Sequence, residues 1–368
     1  VTLRDIHVTN VTSSLGSGFA TYQMLGDLLI EDSVFEGGSA GSGGAISVES
    51  IGGTVTVRGS EFSENSASSV GGAIYLWNVT QDDNDVTIEH CTFADNEAVD
   101  GGAIWIGDIP DGTGTEIIDS TFRGNTATDD GGAIAVETAT GGFAVLSSTF
   151  TGNSAGDSGT SIFLAANQAQ ASLYNSTIDE AEDTIAAIHI SSNDGGFFIA
   201  HSTIVAPSAL YVGASSEDLL GIDSSIVDVT DATAIVVASG DPVRALYTAF
   251  STDGTSDDIV DEIGNLFSAD PQLGPLADNG GPTSTRLPAA TSPVIDTGDP
   301  TVTVFPEFDQ RGDGFARVVN GRVDMGAVER QPALAATGAT VPGWALLAAL
   351  GVLIAGAATF AAGRRRSA

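Results

Sequence analysis

Carboxylate groupings in the first 250 residues include Asp82-Asp83-Asn84-Asp85 and Asp129-Asp130. An inverting glycoside hydrolase needs two or three carboxylates on one face. A polysaccharide lyase needs a base beside carboxylates that hold calcium. Bases are scarce here: all twelve basic residues are Arg, and only Arg4, Arg58, Arg123 and Arg244 fall in that stretch. His7, His90, His189 and His201 are scattered, with no Gly-His-Gly signature. His189, between Ile188 and Ile190, is expected to point outward as a surface residue. Both acidic runs sit beside turns, where carboxylates usually serve solvation. The leading reading is therefore a non-catalytic protein, and a polysaccharide lyase or glycoside hydrolase is the alternative. The acidic runs are also the candidates for Ca²⁺, although their spacing fixes no metal site.

Aromatic residues make a second candidate. Ser47, Tyr75, Trp105, Ala135 and Phe163 occupy one recurring position, with Trp77 close by. Aligned on one surface, Tyr75, Trp77, Trp105 and Phe163 would form a ligand face able to stack sugar rings, with Glu49 and Glu137 as hydrogen-bond partners. The competing reading is an aromatic ladder that only shields the backbone beneath it. Nucleic acid is excluded as a partner, because 48 acidic against 12 basic residues leave a net charge of −36 and no basic patch for phosphates. The same imbalance disfavours docking onto an anionic lipid surface. Cys91 is the only cysteine, so no intrachain disulfide forms and stability rests on packing and hydrogen bonds.

The elements that would align these residues come from a repeat. Gly-Gly-Ala-Ile begins at Gly43, Gly71, Gly101 and Gly131, with a degenerate copy at Gly159. Between the copies runs Phe-x-x-Asn: Phe62 to Asn65, Phe93 to Asn96, Phe122 to Asn125 and Phe150 to Asn153. Ser-Thr or Cys-Thr commonly precedes the Phe. Apolar residues alternate after each Gly-Gly, as in Ile46/Val48, Ile74/Leu76, Ile104/Ile106, Ile134/Val136 and Ile162/Leu164. That period of two predicts strands. A second strand carries Val55/Val57, Val86/Ile88, Ile117 and Val145.

A unit of about 28 residues with no helix cannot bury its own apolar face, but stacked copies can. The fold class expected is all-β: a right-handed parallel β-helix of about nine coils over residues 1–250, roughly 40 Å long at about 4.8 Å per coil. The first Gly would take positive φ at a corner, and the second would leave room for the next coil. The recurring Asn would stack at a turn. The chain opens mid-pattern at Val1, which predicts a place inside a longer solenoid, with any secretion signal upstream.

The pairing of Gly-Gly-Ala-Ile with Phe-x-x-Asn over residues 35–155 resembles the repeats of chlamydial polymorphic membrane proteins, adhesin-like surface β-helices. That resemblance implies adhesion. Residues 251–330 form a C-terminal cap region. Within it Asp278-Asn279-Gly280-Gly281-Pro282-Thr283, Ser292-Pro293-Val294-Ile295-Asp296, Asp309-Gln310-Arg311-Gly312, Arg317 and Asp324-Met325-Gly326-Ala327-Val328-Glu329 resemble the choice-of-anchor domain of bacterial surface β-helices. A solenoid needs its last open edge covered. Asp309, Arg311, Arg317 and Asp324 are expected to form a polar lattice that holds such a cap.

Residues 331–368 combine three features: Leu334-Ala335-Ala336-Thr337-Gly338, an uncharged apolar run of 22 residues from Val341 to Ala362, and Arg364-Arg365-Arg366. The run is long enough to span a bilayer as a single helix, and the Arg cluster holds its end on the cytoplasmic side. Together they resemble the sorting signal of sortase substrates, in the Leu-Ala-x-Thr-Gly form used by class E sortases of high-GC Gram-positive bacteria. The resemblance implies attack by the sortase cysteine on the Thr337 carbonyl, release of Gly338 onward and joining of Thr337 to a peptidoglycan amine. The implied location is the cell wall, outside the cell, with a membrane span in the precursor.

Overall fold

The parallel ladder expected from the repeats runs through the solenoid. The computed structural model describes residues 1–331 apart from 15, 79–84, 181–184, 217–218, 231–233, 254–257 and 303–305. Its strands form parallel sheets of eleven, ten and nine strands, with a shorter fourth sheet of five and a two-stranded antiparallel pair, Leu273–Ala277 with Thr285–Pro288. The result is a right-handed parallel β-helix of about nine turns. The Leu334–Gly338 motif and the apolar run, with the transmembrane helix expected of it, lie outside the described residues. Among the described residues no helix is long and apolar enough to cross a membrane.

Each coil is specified by residues that repeat its corners. Gly43, Gly71, Gly101 and Gly131 take φ of 63–68°, closed to most side chains. The Gly after each sits under the next coil: a β-carbon on Gly72 would stand 2.0 Å from the carbonyl oxygen of Gly102. Beyond that corner Ile46, Ile74, Ile104, Ile134, Ile162 and Ile188 pair in register and are fully buried. Phe35, Phe62, Phe93, Phe122 and Phe150 stack with ring centroids 4.8–5.1 Å apart and planes within 5°. Identical rings recur at the strand spacing, so each covers the face of the one before.

Two polar ladders satisfy the buried turns. Asn65, Asn96 and Asn125 each donate Nδ2–H to the Oδ1 of the next Asn at 2.9–3.0 Å, and that same Oδ1 accepts the donor's backbone N–H. A serine row does the same at another corner. Ser120, Ser148, Ser176 and Ser202 donate Oγ–H to the carbonyl two residues back and accept an amide N–H from the preceding coil. Cys91 stands in this row, its thiol 3.3 Å from the Glu89 carbonyl oxygen. Burial pushes that thiol up to about 12, so it is inert as a nucleophile and serves as a serine substitute. The coil length falls from 31 residues between Asn65 and Asn96 to 23 between Ser202 and Ser225. The five-stranded sheet ends at Ser154–Ala155, and the shorter coils follow its loss.

The region expected to cap the last turn divides in two. Parallel pairing persists beyond residue 250, with Ile259–Ile263 on Val243–Leu246, and Phe267 stacks on Phe250 at 5.3 Å at the end of the row that continues from Phe150 through Ile178, Ile204 and Val227. From Leu273 onward the chain turns back and lies along the flank. Thr283 donates to the Ser147 carbonyl, Gln310 to that of Ser148, and the Gly326 N–H to that of Ser224. The outward residues Thr149, Thr177, Thr203 and Ile226 of the ten-stranded sheet are thereby buried, whereas Glu61 in the same row is exposed. Side chains of the earlier coils give no such surface: their row carries Glu61 and half-buried Thr92 and Thr121.

Candidate ligand face and clasped flank

The nine-stranded sheet turns two columns of side chains outward. In the first, Ser47, Tyr75, Trp105, Ala135, Phe163, His189 and Tyr211 pair in register. Trp105 stacks on Tyr75 at 5.2 Å and on Trp77 at 5.6 Å, both within 7° of parallel. Ala135 interrupts the stack. Phe163 then begins a second group with His189 at 5.4 Å, and His189 meets Tyr211 at 4.6 Å. The four aromatic residues expected on one face do share it, but in two groups. Trp105 is only 8 % exposed, so its ring backs its neighbours and offers little surface of its own. Burial and the Glu49 charge raise the Tyr75 hydroxyl, and burial lowers His189.

The second column follows from the next outward positions: Tyr22, Glu49, Trp77, Gly107 and Glu137. Tyr22, His189 and Tyr211 were missed as members of this face. Tyr22 precedes the first Gly-Gly-Ala-Ile, and Tyr211 follows the last recognisable copy, so only counting from Ile188 and Ile190 finds it. Trp77 owes its position to Gly107, because a β-carbon there would stand 2.1 Å from the indole Cε3. Tyr22 and Trp77 border a shallow cleft of about 180 Å³ that also includes Gln23, Glu49, Ser50 and Asn78.

One carboxylate of the acidic runs, Asp85, bonds a neighbouring coil. Asp82, Asp83 and Asn84 lie outside the described residues, but Asp85 accepts the Gly114 N–H of the next coil at 2.8 Å. Asp100 likewise accepts the Asp130 N–H at 3.2 Å. Burial raises both Asp100 and Asp130 above the usual carboxylate range.

The expected lattice of Asp309, Arg311, Arg317 and Asp324 is assembled at the flank. Arg311 grips Asp309 through Nε at 3.1 Å and Nη2 at 2.6 Å, with its guanidinium 4.0 Å above the Phe315 ring. Arg317 is fully buried, and its Nη2 donates to the carbonyls of Asp324 and Gly326 and to Nδ1 of His201 at 3.2 Å. Burial and the Arg317 charge hold His201 well below its ordinary value, so it accepts as a neutral ring. Gln310 was named only as part of the Asp309-Gln310-Arg311-Gly312 motif, and Arg286 was not singled out from sequence. Gln310 reaches Thr149, Thr177 and Thr283, while Arg286 makes two bonds of 2.9–3.0 Å to Asp179. Thr149, Thr177 and Asp179 lie more than 100 residues earlier, beyond any local motif.

Carboxylate oxygens of Asp296, Asp324 and Glu329 converge within 4.8 Å of one another, which makes them the calcium candidate among the described residues. All four oxygens of Asp324 and Glu329 already accept backbone N–H groups, from Asp296, Arg330, Val319 and Asp324. Arg317 supplies positive charge beside them. EDTA is therefore expected to leave the thermal midpoint unchanged. A midpoint that drops and recovers with added Ca²⁺ would show that the chain binds a stabilising cation.

Residues 6–178 match a protein-family model described as a right handed beta helix region. No curated protein and no solved structure matches the chain.

Proposed function

We propose that this right-handed β-helix is a non-catalytic surface protein, anchored to the cell wall, that presents its outer face for adhesion to a glycan or another surface. The observation that carries the proposal is the outward aromatic columns of the nine-stranded sheet, with Trp77 exposed beside Glu49 in a cleft. The non-catalytic reading draws support from Asp85, whose carboxylate serves a backbone amide of the neighbouring coil. The wall anchor rests on the sequence alone: Leu334 to Gly338, the apolar run and the Arg tail, by their likeness to sortase substrates.

Fractionation of native cells tests the anchor. Wild-type protein should leave the wall only when peptidoglycan is digested, whereas the Thr337→Ala variant should remain with the membrane. If both forms extract with the membrane, Thr337 is no cleavage site and the tail is a plain anchor.

A further inference from the structure

We propose that Tyr22, Glu49 and Trp77 form a subsite for a neutral pyranose chain, an inference that rests on the surface-binding reading above and gives it a ligand class. Thr21, Val48 and Leu76 pair in register on three successive coils, so the residues that follow them, Tyr22, Glu49 and Trp77, form one outward row. Tyr22 is 70 % exposed and Trp77 39 %. The only other large aromatic exposed to that degree among the described residues is Phe198, on the eleven-stranded sheet.

Trp77 is held ready for a ligand. One face of its indole lies against Trp105 of the following coil, in the space that Gly107 leaves open. Its opposite face is thereby turned toward the preceding coil, which carries Glu49, and beyond that toward Tyr22. Tyr22 and Trp77 stand two coils apart, about 9.6 Å at the strand spacing. One saccharide ring in contact on both sides fills about 7–8 Å, at 3.5–4.0 Å per face. A preformed aromatic surface avoids the ordering cost of assembling one on binding.

The polar groups around that gap select the ligand. The Glu49 carboxylate accepts hydrogen bonds from hydroxyls, and the Gln23 and Asn78 amides both donate and accept. A pyranose offers an apolar C–H face to the ring and hydroxyls at its edge. A uronic-acid or sulfated chain would bring negative charge against Glu49 and a net charge of −36, with no Lys in the chain to offset it. Uncharged sugars are the class that fits.

The test uses the full chain in detergent micelles, titrated with hexamers of glucan, mannan, galactan and chitin, and with polygalacturonate. The expected result is binding of at least one neutral hexamer and no binding of polygalacturonate. Trp77→Ala should weaken that binding at least about tenfold, or 1.4 kcal/mol. Trp77→Phe, which keeps a stacking ring, should recover part of it, and Phe198→Ala should leave it unchanged. Circular dichroism melts of each variant separate lost binding from lost fold. The proposal is overturned if no neutral hexamer binds, if polygalacturonate is preferred, or if folded Trp77→Ala binds as wild type does. None of these results bears on Thr337, so the site can fail while the wall anchor stands.

Discussion

Replacing Arg317 with Ala is expected to destabilise the clasped flank by about 3–5 kcal/mol, the usual cost of removing one partner from a buried charge network. Arg317 is the largest fully buried side chain among the described residues. The charges of Glu329, Asp309 and Asp324 favour its cation against burial, and it holds the neutral ring of His201. Removing it takes a buried positive charge from beside Asp324 and Glu329 and leaves two carbonyl oxygens, of Asp324 and Gly326, without that donor. The loss should be local, because the ladders of the early coils do not involve this residue. Hydrogen exchange would then accelerate at residues 273–329 and at the covered strands Thr149–Thr151 to Ile226–Val229, while Val55–Arg58 keeps its protection. A stability loss below about 1 kcal/mol, or one spread evenly along the rod, would mean that Arg317 does not organise this flank.

Glu180→Gln should stabilise the protein at neutral pH and remove part of its pH dependence. The Asn ladder ends at Glu180, which accepts the Asn153 N–H and Nδ2–H at 2.8–2.9 Å and the Ser161 Oγ–H at 2.7 Å. Burial nevertheless outweighs these donors and pushes its carboxyl from 4.5 up to about 8. An acid raised in this way binds its proton more tightly when folded. Its contribution is therefore fully present below the unfolded value of 4.5 and is lost as pH rises toward about 8. At 1.36 kcal/mol per unit the ceiling is roughly 5 kcal/mol. Gln keeps an acceptor oxygen, which can take both Asn153 donors as each Asn of the ladder does, and carries no charge to desolvate. Thermal midpoints of wild type and variant should converge near pH 4.5 and separate by pH 8, with the variant higher. Glu329, raised to about 8, and Asp223, raised to about 6, act in the same direction, so a residual slope should survive in the variant. A variant less stable than wild type at pH 8 would show that the ionised ladder end is favourable.

The two ends of the chain differ in how openly their residues announce their roles. Gly-Gly-Ala-Ile and Phe-x-x-Asn each encode one corner and one interior column, so their repetition carries both the stacking and its register. Tyr75, Trp77, Trp105 and Phe163 are legible as a shared face for the same reason: alternation puts residues flanked by buried Ile on the outside. What alternation does not carry is exposure. Trp105 and Trp77 look equivalent by spacing, yet Gly107 lets one indole lie over the next coil and bury the other. Glu180 is also opaque, because its place at the end of the Asn ladder depends on a coil whose Phe-x-x-Asn motif is gone. The flanking segment is the least legible. Asp309, Arg311, Arg317 and Asp324 suggest a lattice, but their covering of outward Thr residues instead of the rod's end depends on bonds spanning more than 100 residues.

The flank arrangement decides how a pull on the described C-terminal end would be borne. Near that end the Arg330 N–H is held by Asp324, and the Glu329 N–H and carbonyl by Asp309 and Arg311. Tension applied at Gln331 therefore enters a segment bonded sideways to several coils, from Ser147 to Ser224. Bonds to those coils are strained together in shear. Had the chain left directly from the final turn, the same force would have peeled the rod open one coil at a time, breaking a few bonds per step.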